Sequence, residues 1–203
     1  MKENYQLMLD DIIAENEKAG RRPSVLLHAC CAPCTSSVLE YLSKHFEVSL
    51  FFYNPNIYPR EEYLKRLGEM KKLLILAPFA AGVGLIEGNY AYRDWQNSIS
   101  GTETEREGGA RCSLCFEKRL SETARLAAEM NFDYFCTTLT VSPHKNAELI
   151  NAIGRAEGEK RSIPFLPSDF KKRDGYKRSV DLCAEYDIYR QCWCGCSFSL
   201  VDV

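Results

Sequence analysis

Val25-Leu26-Leu27-His28-Ala29-Cys30-Cys31-Ala32-Pro33-Cys34-Thr35 is the stretch that sets the fold class. An apolar run with no polar residue before His28 leads into three cysteines within five positions, and a helical pattern starts directly after. A continuous apolar run of this length fits a buried parallel strand. A strand that delivers reactive side chains to a loop and then enters a helix is how open α/β sheets build their sites.

Upstream, residues 4–20 carry Leu7, Met8, Ile12 and Ile13 at helical spacing, with Gly20 closing the run. The strand is expected over 24–29, and a helix over 35–44 capped by Thr35, Ser36 or Ser37. A second apolar strand spans 47–53 and ends in the turn-rich Asn54-Pro55-Asn56-Ile57-Tyr58-Pro59. A long amphipathic helix follows over 60–76, then a third strand over 82–87. Residues 89–109 show no clean period, and the polar, glycine-containing part from Thr102 reads as a mobile loop or lid before Cys112-Ser113-Leu114-Cys115. Residues 113–130 are helical, with Phe116, Leu120, Ala124 and Ala127 on one stripe. A fourth strand is expected over 132–139, then a loop at 142–146 and a helix to about Glu157. Residues 162–169 are extended with two prolines, 176–186 are helical, and 189–196 form a cysteine-rich tail.

Strand–helix alternation repeated four times predicts a parallel sheet with helices on both faces. Residues 1–203 are expected to form a single α/β domain whose cysteine-rich segment, from about 188, returns to the active site. Ligands of such folds gather beyond the carboxyl ends of the strands, where the loops at 30–34, 54–59 and 142–146 converge.

At 203 residues with 45% hydrophobic and 27% charged residues, the composition is that of a globular protein. No apolar run reaches about 18 residues, and the first residues lack the plan of a signal peptide. A cytoplasmic protein with no membrane partner is therefore expected. The net charge of −2 singles out no partner.

Ten cysteines are unusual, and in a cytoplasmic chain they indicate metal or redox chemistry. They are grouped as Cys30, Cys31 and Cys34; Cys112 and Cys115; and Cys192, Cys194 and Cys196, with Cys136 and Cys183 alone inside strand and helix patterns, as core thiols would be. Three chemistries fit. Cys31 and Cys34 at a helix start suit a thiol-disulfide oxidoreductase, because a helix N-terminus favours thiolate. The two CxxC pairs could hold structural zinc in a nucleic-acid-binding module, which leaves Cys30, Cys194 and Cys196 unexplained. An iron–sulfur cluster takes four thiolates, one per iron. Cys30 and Cys31 can reach two corners of a cluster, and Cys112 and Cys115 complete the set. Cys194-Gly195-Cys196 then remains as a dithiol whose small disulfide ring is suited to exchange.

The chain resembles the QueH-type epoxyqueuosine reductases. The matching residues are His28-Ala29-Cys30-Cys31-Ala32-Pro33-Cys34, Tyr53-Asn54-Pro55-Asn56-Ile57, Arg111-Cys112-Ser113-Leu114-Cys115, Ser142-Pro143-His144-Lys145-Asn146, Phe165-Leu166-Pro167-Ser168-Asp169-Phe170-Lys171-Lys172, and Tyr189-Arg190-Gln191 with Cys194-Gly195-Cys196. Cys192 departs from that pattern. The resemblance implies a Rossmann-like α/β fold, related to the adenine-nucleotide alpha hydrolases, and reduction of the epoxide of epoxyqueuosine in tRNA to the alkene of queuosine, the last step of queuosine synthesis. It also implies a [4Fe–4S] cluster on Cys30, Cys31, Cys112 and Cys115, with room for an additional iron beside it, and a redox-active pair at Cys194 and Cys196. The expected partners are tRNA carrying epoxyqueuosine, bound by its anticodon loop, and an external electron donor.

Asp169, set among apolar residues, is a candidate catalytic proton donor or metal ligand, or a helix cap. Cys34 is either a further ligand or a packed thiol. His144, His28, Tyr53 and Tyr58 each have an ordinary packing role open beside a role at the site. Lys171, Lys172, Arg173, Lys177 and Arg178 form a basic run, a solvated face by default and the first candidate for tRNA phosphate, with Lys145 and Arg190 secondary.

Overall fold

The computed structural model describes residues 3–199. Strands β1 (Ser24–His28), β2 (Glu47–Phe52), β3 (Gly84–Glu87) and β4 (Tyr134–Thr137) form an all-parallel sheet in the spatial order β3-β2-β1-β4. The helices are α1 (Tyr5–Lys18), α2 (Ala32–Leu42), α3 (Arg60–Leu76), α4 (Tyr92–Ser98), α5 (Ala110–Glu129), α6 (Ala147–Arg161) and α7 (Gly175–Glu185). Among the described residues, no helix is long and apolar enough to cross a membrane.

Apolar residues on successive strand positions serve opposite faces, as the two-residue period requires. Val25 and Leu27 of β1, with Leu50 and Phe52 of β2, pack in one cluster with Leu9, Leu39, Met70 and Cys183 from α1, α2, α3 and α7. Leu26, Phe51 and Phe135 face the other way, onto Ala124 and Ala127 of α5. Both sides of β1 are therefore covered, which explains its unbroken apolar run. Each leucine there is fully buried, a contribution of about 1.5–3 kcal/mol per side chain.

The strand order reverses at β1. Chain crossing from β1 to β2 and β3 moves one way, and β4 joins β1 on its other edge. Where neighbouring connections diverge in this way, the carboxyl ends of two adjacent strands leave an open crevice. Here that crevice lies between the residues that follow His28 and those that follow Thr137.

Three elements differ from expectation. Helix α2 begins at Ala32, not Thr35. Cys31 takes the cap position in extended conformation, and Pro33 occupies the first turn, where its fixed φ is pre-organised and its missing N–H costs nothing. Thr35 is inside the helix and donates from Oγ1 to the Cys31 carbonyl at 2.8 Å. Second, the aperiodic stretch contains α4, two turns that bury one large residue, Trp95. One buried residue leaves no period to read. Third, β4 is shorter than its apolar run. The Thr137 hydroxyl accepts from the Leu139 N–H at 3.2 Å, and the chain turns out of the sheet into a 3-10 turn over Thr138–Val141.

The extended stretch after α6 returns to the sheet edge. Phe165 bridges Phe135, with the Phe135 N–H donating to the Pro164 carbonyl at 3.1 Å. Gly158 of α6 permits the approach, since a Cβ there would lie 2.5 Å from the Ile163 carbonyl oxygen. Gly158→Ala gains about 1 kcal/mol of helix propensity but forces that backbone apart, at about 1–3 kcal/mol. The expected net result is a loss of about 1 kcal/mol, visible as a lowered midpoint in urea. A raised midpoint would show that the edge contact yields freely.

Candidate active site

The loop after β1 is held from all sides. The Ala29 N–H donates to the Phe51 carbonyl at 2.9 Å, and Asn54 Nδ2 donates to the Ala29 carbonyl at 2.9 Å. The Cys30 N–H donates to Thr138 Oγ1 at 3.1 Å, across the crevice between β1 and β4. Thr138 Oγ1 in turn donates to Cys30 Sγ at 3.2 Å. Because α2 starts at Ala32, Cys34 lies in its first turn and points back toward the loop. The sulfurs of Cys30, Cys31 and Cys34 all lie within 4.8 Å of one another, a group that could hold a metal. Cys34 therefore joins the other two. Among the described residues it is the one such group.

This trio opens into a cavity of about 620 Å³ that also takes Cys112 and Cys115 from the start of α5 and Cys192, Cys194 and Cys196 from the tail. Eight of the ten cysteines thus line one cavity. The remaining two are buried in the core, and burial pushes the Cys136 thiol up to about 12.

The thiols are electrostatically sorted. Hydrogen bonds, first from Cys31 and then from Cys34, hold Cys30 well below the usual thiol range, and those neighbours are raised in return. In the tail the hydrogen bond from Cys196 does the same for Cys194, while Cys196 is raised. Burial raises both Cys112 and Cys115, but Cys112 Sγ accepts the Gly108 N–H at 3.1 Å.

Cations face these sulfurs. Arg119 is buried and donates to Asn54 Oδ1 at 2.6 Å and to His28 Nε2 at 3.3 Å, and it has no carboxylate partner among the described residues. His28 is fully buried, and desolvation, with Arg119 beside it, pushes its pKa down to about 3, so it is neutral. Burial opposes the charge on Lys145, but the facing cysteine sulfurs of Cys34, Cys30 and Cys194 outweigh it and hold the ammonium above its ordinary value. Glu107 at the same cavity is raised, by burial and then by Cys194.

The tail is clamped. Arg66 of α3 is buried, pairs with Glu62 at 2.7 Å, and donates to the carbonyls of Cys194 (3.1 Å) and Trp193 (3.4 Å). The Tyr58 N–H holds the Gly195 carbonyl at 2.8 Å. Gly195 sits at φ +107°, where a side chain would be strained. Cys194 Sγ and Cys196 Sγ both contact Ser199 Oγ, at 3.1 and 3.7 Å. On the opposite rim, Arg111 donates to the carbonyls of Glu103 (2.9 Å) and Glu105 (2.5 Å), tying down the loop before α5.

The other residues singled out in the sequence are placed as follows. Lys145, His144 and Arg190 line the cavity; Asp169 does not, and its Oδ1 lies 2.8 Å from Lys171 Nζ. Lys172, Arg173 and Arg178 line a separate cavity of about 170 Å³ between α1, α2 and the turn before α7. There Arg173 pairs with Asp10 and Arg178 with Glu40, while Lys172 reaches Asn4 Oδ1 at 3.4 Å. Arg190 donates to the Ser179 carbonyl. Lys177 lies 3.7 Å from Asp181, so of the seven candidate phosphate contacts the side chain of Lys145 alone has no hydrogen-bond or ion-pair partner among the described residues. Tyr58 is exposed and stacks on Tyr92 at 5.1 Å, and Tyr53 stacks on Phe51 at 5.5 Å.

Arg66 and Arg119 escaped sequence reasoning, because an arginine on an amphipathic helix reads as solvated, and Arg111 was noted beside Cys112 without a role. One signal was present: Arg111, Cys115 and Arg119 are spaced four apart, which puts them on one face of a helix. Trp95 also went unnoticed; it packs with Cys115 and Cys196.

Fold and site together define a parallel α/β protein whose switch-point crevice is a thiol-lined cavity with a metal-capable cysteine group. A family model described as epoxyqueuosine reductase QueH matches residues 25–202. A protein of Streptococcus pyogenes with that name is 43% identical over 202 residues, spanning 98% of this chain and 78% of its own. One from Staphylococcus epidermidis is 42% identical over 98% of this chain and 85% of its own. One from Thermotoga maritima is 36% identical over 88% of this chain and 91% of its own. The chain belongs to the epoxyqueuosine reductase QueH family, and is an oxidoreductase by that membership.

Proposed function

We propose that this chain is an iron–sulfur epoxyqueuosine reductase, which removes the epoxide oxygen of epoxyqueuosine in tRNA to leave the alkene of queuosine. The observation that carries the reading is the meeting of three cysteine groups in one cavity at the β1/β4 crevice. That strand order also supports kinship with the adenine-nucleotide alpha hydrolase folds.

The residues suit a [4Fe–4S] cluster. The donor set is all thiol, Cys30 and Cys112 receive hydrogen bonds at sulfur, and a buried guanidinium without a carboxylate stands ready to balance an anionic group. Cys30, Cys31, Cys112 and Cys115 would hold it, with Cys34 free beside them for an additional iron. When bound, such a cluster supplies single electrons and a Lewis-acidic iron.

The chain's own residues account for the rest of the balance. Converting an epoxide to an alkene and water takes two electrons and two protons. Oxidation of the Cys194 and Cys196 thiols to a disulfide releases both in that number. Lys145 faces the thiolates and is the cation left to meet the substrate's charge. Asp169 is left to its ion pair.

A dithiol oxidoreductase built on Cys31 and Cys34 fares worse, because it leaves the six other cysteines that line the same cavity without a role. The deciding experiment is an iron and sulfide count on anaerobically purified protein, beside a chromatographic assay of tRNA nucleosides. Iron, sulfide and conversion of epoxyqueuosine to queuosine support the proposal. Zinc without sulfide, or iron without conversion, sinks it.

The hydrogen bond at Cys30 makes a separate prediction. Donors to cluster sulfur stabilise the more negative, reduced state. Thr138→Val removes the donor and keeps the shape, so the reduction potential should fall. The drop is about 40 mV for each ~1 kcal/mol by which the bond favours the reduced state, measured by potentiometric titration. An unchanged potential would mean that Thr138 serves only the backbone N–H of Cys30.

A further inference from the structure

We propose that Cys192 is the thiol through which the oxidised Cys194–Cys196 pair is returned to its reduced form by an external dithiol. The inference rests on the reading of Cys194 and Cys196 as the redox pair.

Three observations carry it. The tail cysteines all line the cavity, yet access to them is graded: Cys192 is exposed, Cys194 half-buried, and Cys196 buried. The two inner sulfurs meet the same Ser199 hydroxyl, and Ser199 is buried. The backbone between is pinned, with the Trp193 and Cys194 carbonyls on Arg66 and the Gly195 carbonyl on the Tyr58 N–H. Cys192 stands at the outer end of that pinned stretch.

Thiol–disulfide exchange needs an attacking sulfur behind the bond that breaks. A bulky dithiol reductant reaches the exposed Cys192 more readily than the half-buried Cys194 and buried Cys196 deeper in the cavity. An exposed thiol two residues away can take the attack outward. The Cys192 thiolate attacks the Cys194 sulfur, the Cys194–Cys196 bond breaks, and Cys196 leaves as the thiolate and takes up a proton. No electron is gained or lost. The new ring, Cys192-Trp193-Cys194, has the same spacing as the old one, Cys194-Gly195-Cys196, so the exchange trades one CxC disulfide for another. The external dithiol then attacks Cys192, its second thiol closes on the first, and Cys192 and Cys194 are released as thiols. Two electrons and two protons enter in that step. Cys192 thus has a use that neither the four proposed cluster ligands nor the inner pair requires.

The test is made on the full-length, metal-loaded chain after one turnover. Differential alkylation locates the free thiol among the three tail cysteines as a bulky protein dithiol of the thioredoxin type is added in limiting amounts. The expected result is that the free thiol moves from Cys192 to Cys196 before reduction is complete. In Cys192→Ser, re-reduction by that protein dithiol should slow by on the order of tenfold or more, the scale of losing one attacking thiolate. A small trialkylphosphine, which cleaves disulfides without thiol exchange, should restore it. A merely structural role would not distinguish the two reductants. If the inner disulfide forms but is re-reduced equally fast by the protein dithiol without Cys192, the relay is overturned alone. If turnover leaves Cys194 and Cys196 as thiols, the reading of the pair falls, and the relay with it.

Discussion

Cys194→Ser is expected to abolish turnover, by on the order of 10³-fold or more as for other residues that act covalently, while iron and sulfide per chain stay unchanged. A serine keeps the size and the contact with Ser199 but cannot form a disulfide, so the two electrons and two protons of the deoxygenation lose their source. Cys196→Ser should do the same, since either sulfur alone is useless as a two-electron store. The visible absorption of the loaded protein and the nucleoside assay read the two properties separately. Loss of iron in either variant would make these sulfurs ligands, and the assignment of the cluster to Cys30, Cys31, Cys112 and Cys115 would then be wrong.

Arg66→Met should lower both stability and rate. Arg66 is 2% exposed, and Glu62, its partner, is itself largely buried. Removing one member of such a pair leaves a buried carboxylate, at about 3–5 kcal/mol. The carbonyls of Trp193 and Cys194 lose their donors at the same time, and the cation no longer lies 5.0 Å under the Trp193 ring. A displacement of about 1 Å at the reacting group can cost on the order of 10²-fold in rate. Arg66→Lys should rescue little, because a single ammonium cannot reproduce the fork that bonds Glu62 and two carbonyls together. Urea melts and kcat on the metal-loaded protein check both parts. A shifted melt with kcat kept within a few-fold of the parent would reduce Arg66 to a structural residue.

What could be read from the sequence follows the strength of each local signal. Helix α3 was legible to the residue, and α5 nearly so, because each is long and carries a regular apolar stripe. Strand β1 was legible because burial on both sides leaves no alternation to misread. The start of α2 was not. A threonine and two serines offered themselves as caps, but Cys31 took that place, and Pro33 set the first turn. That error had a cost at the site, since a helix begun at Thr35 would leave Cys34 in the loop, and its nearness to Cys30 and Cys31 could not be foreseen. The grouping of cysteines pointed to a shared site. Their meeting depended on strand order, which periodicity does not encode. The basic run at 171–178 read as a solvated face by default and as the first candidate for phosphate; Asp10, Glu40 and Asp169, which answer Arg173, Arg178 and Lys171, lie up to 163 residues away in the chain or two residues upstream.

The crevice between β1 and β4 has a consequence for how the protein comes into being. Its walls are made from residues 30–34, 108–115, 138 and 192–196, so a nascent chain carries its first three grouped thiols through most of its synthesis with no opposite wall. β1 has its second neighbour only once residue 137 has been made, and the clamp by Arg66 waits for the tail. Contacts of such long sequence separation form late. The cavity is thus complete only once translation has ended, and a prematurely ended product would leave the ribosome with its first cysteine group lacking the opposite wall.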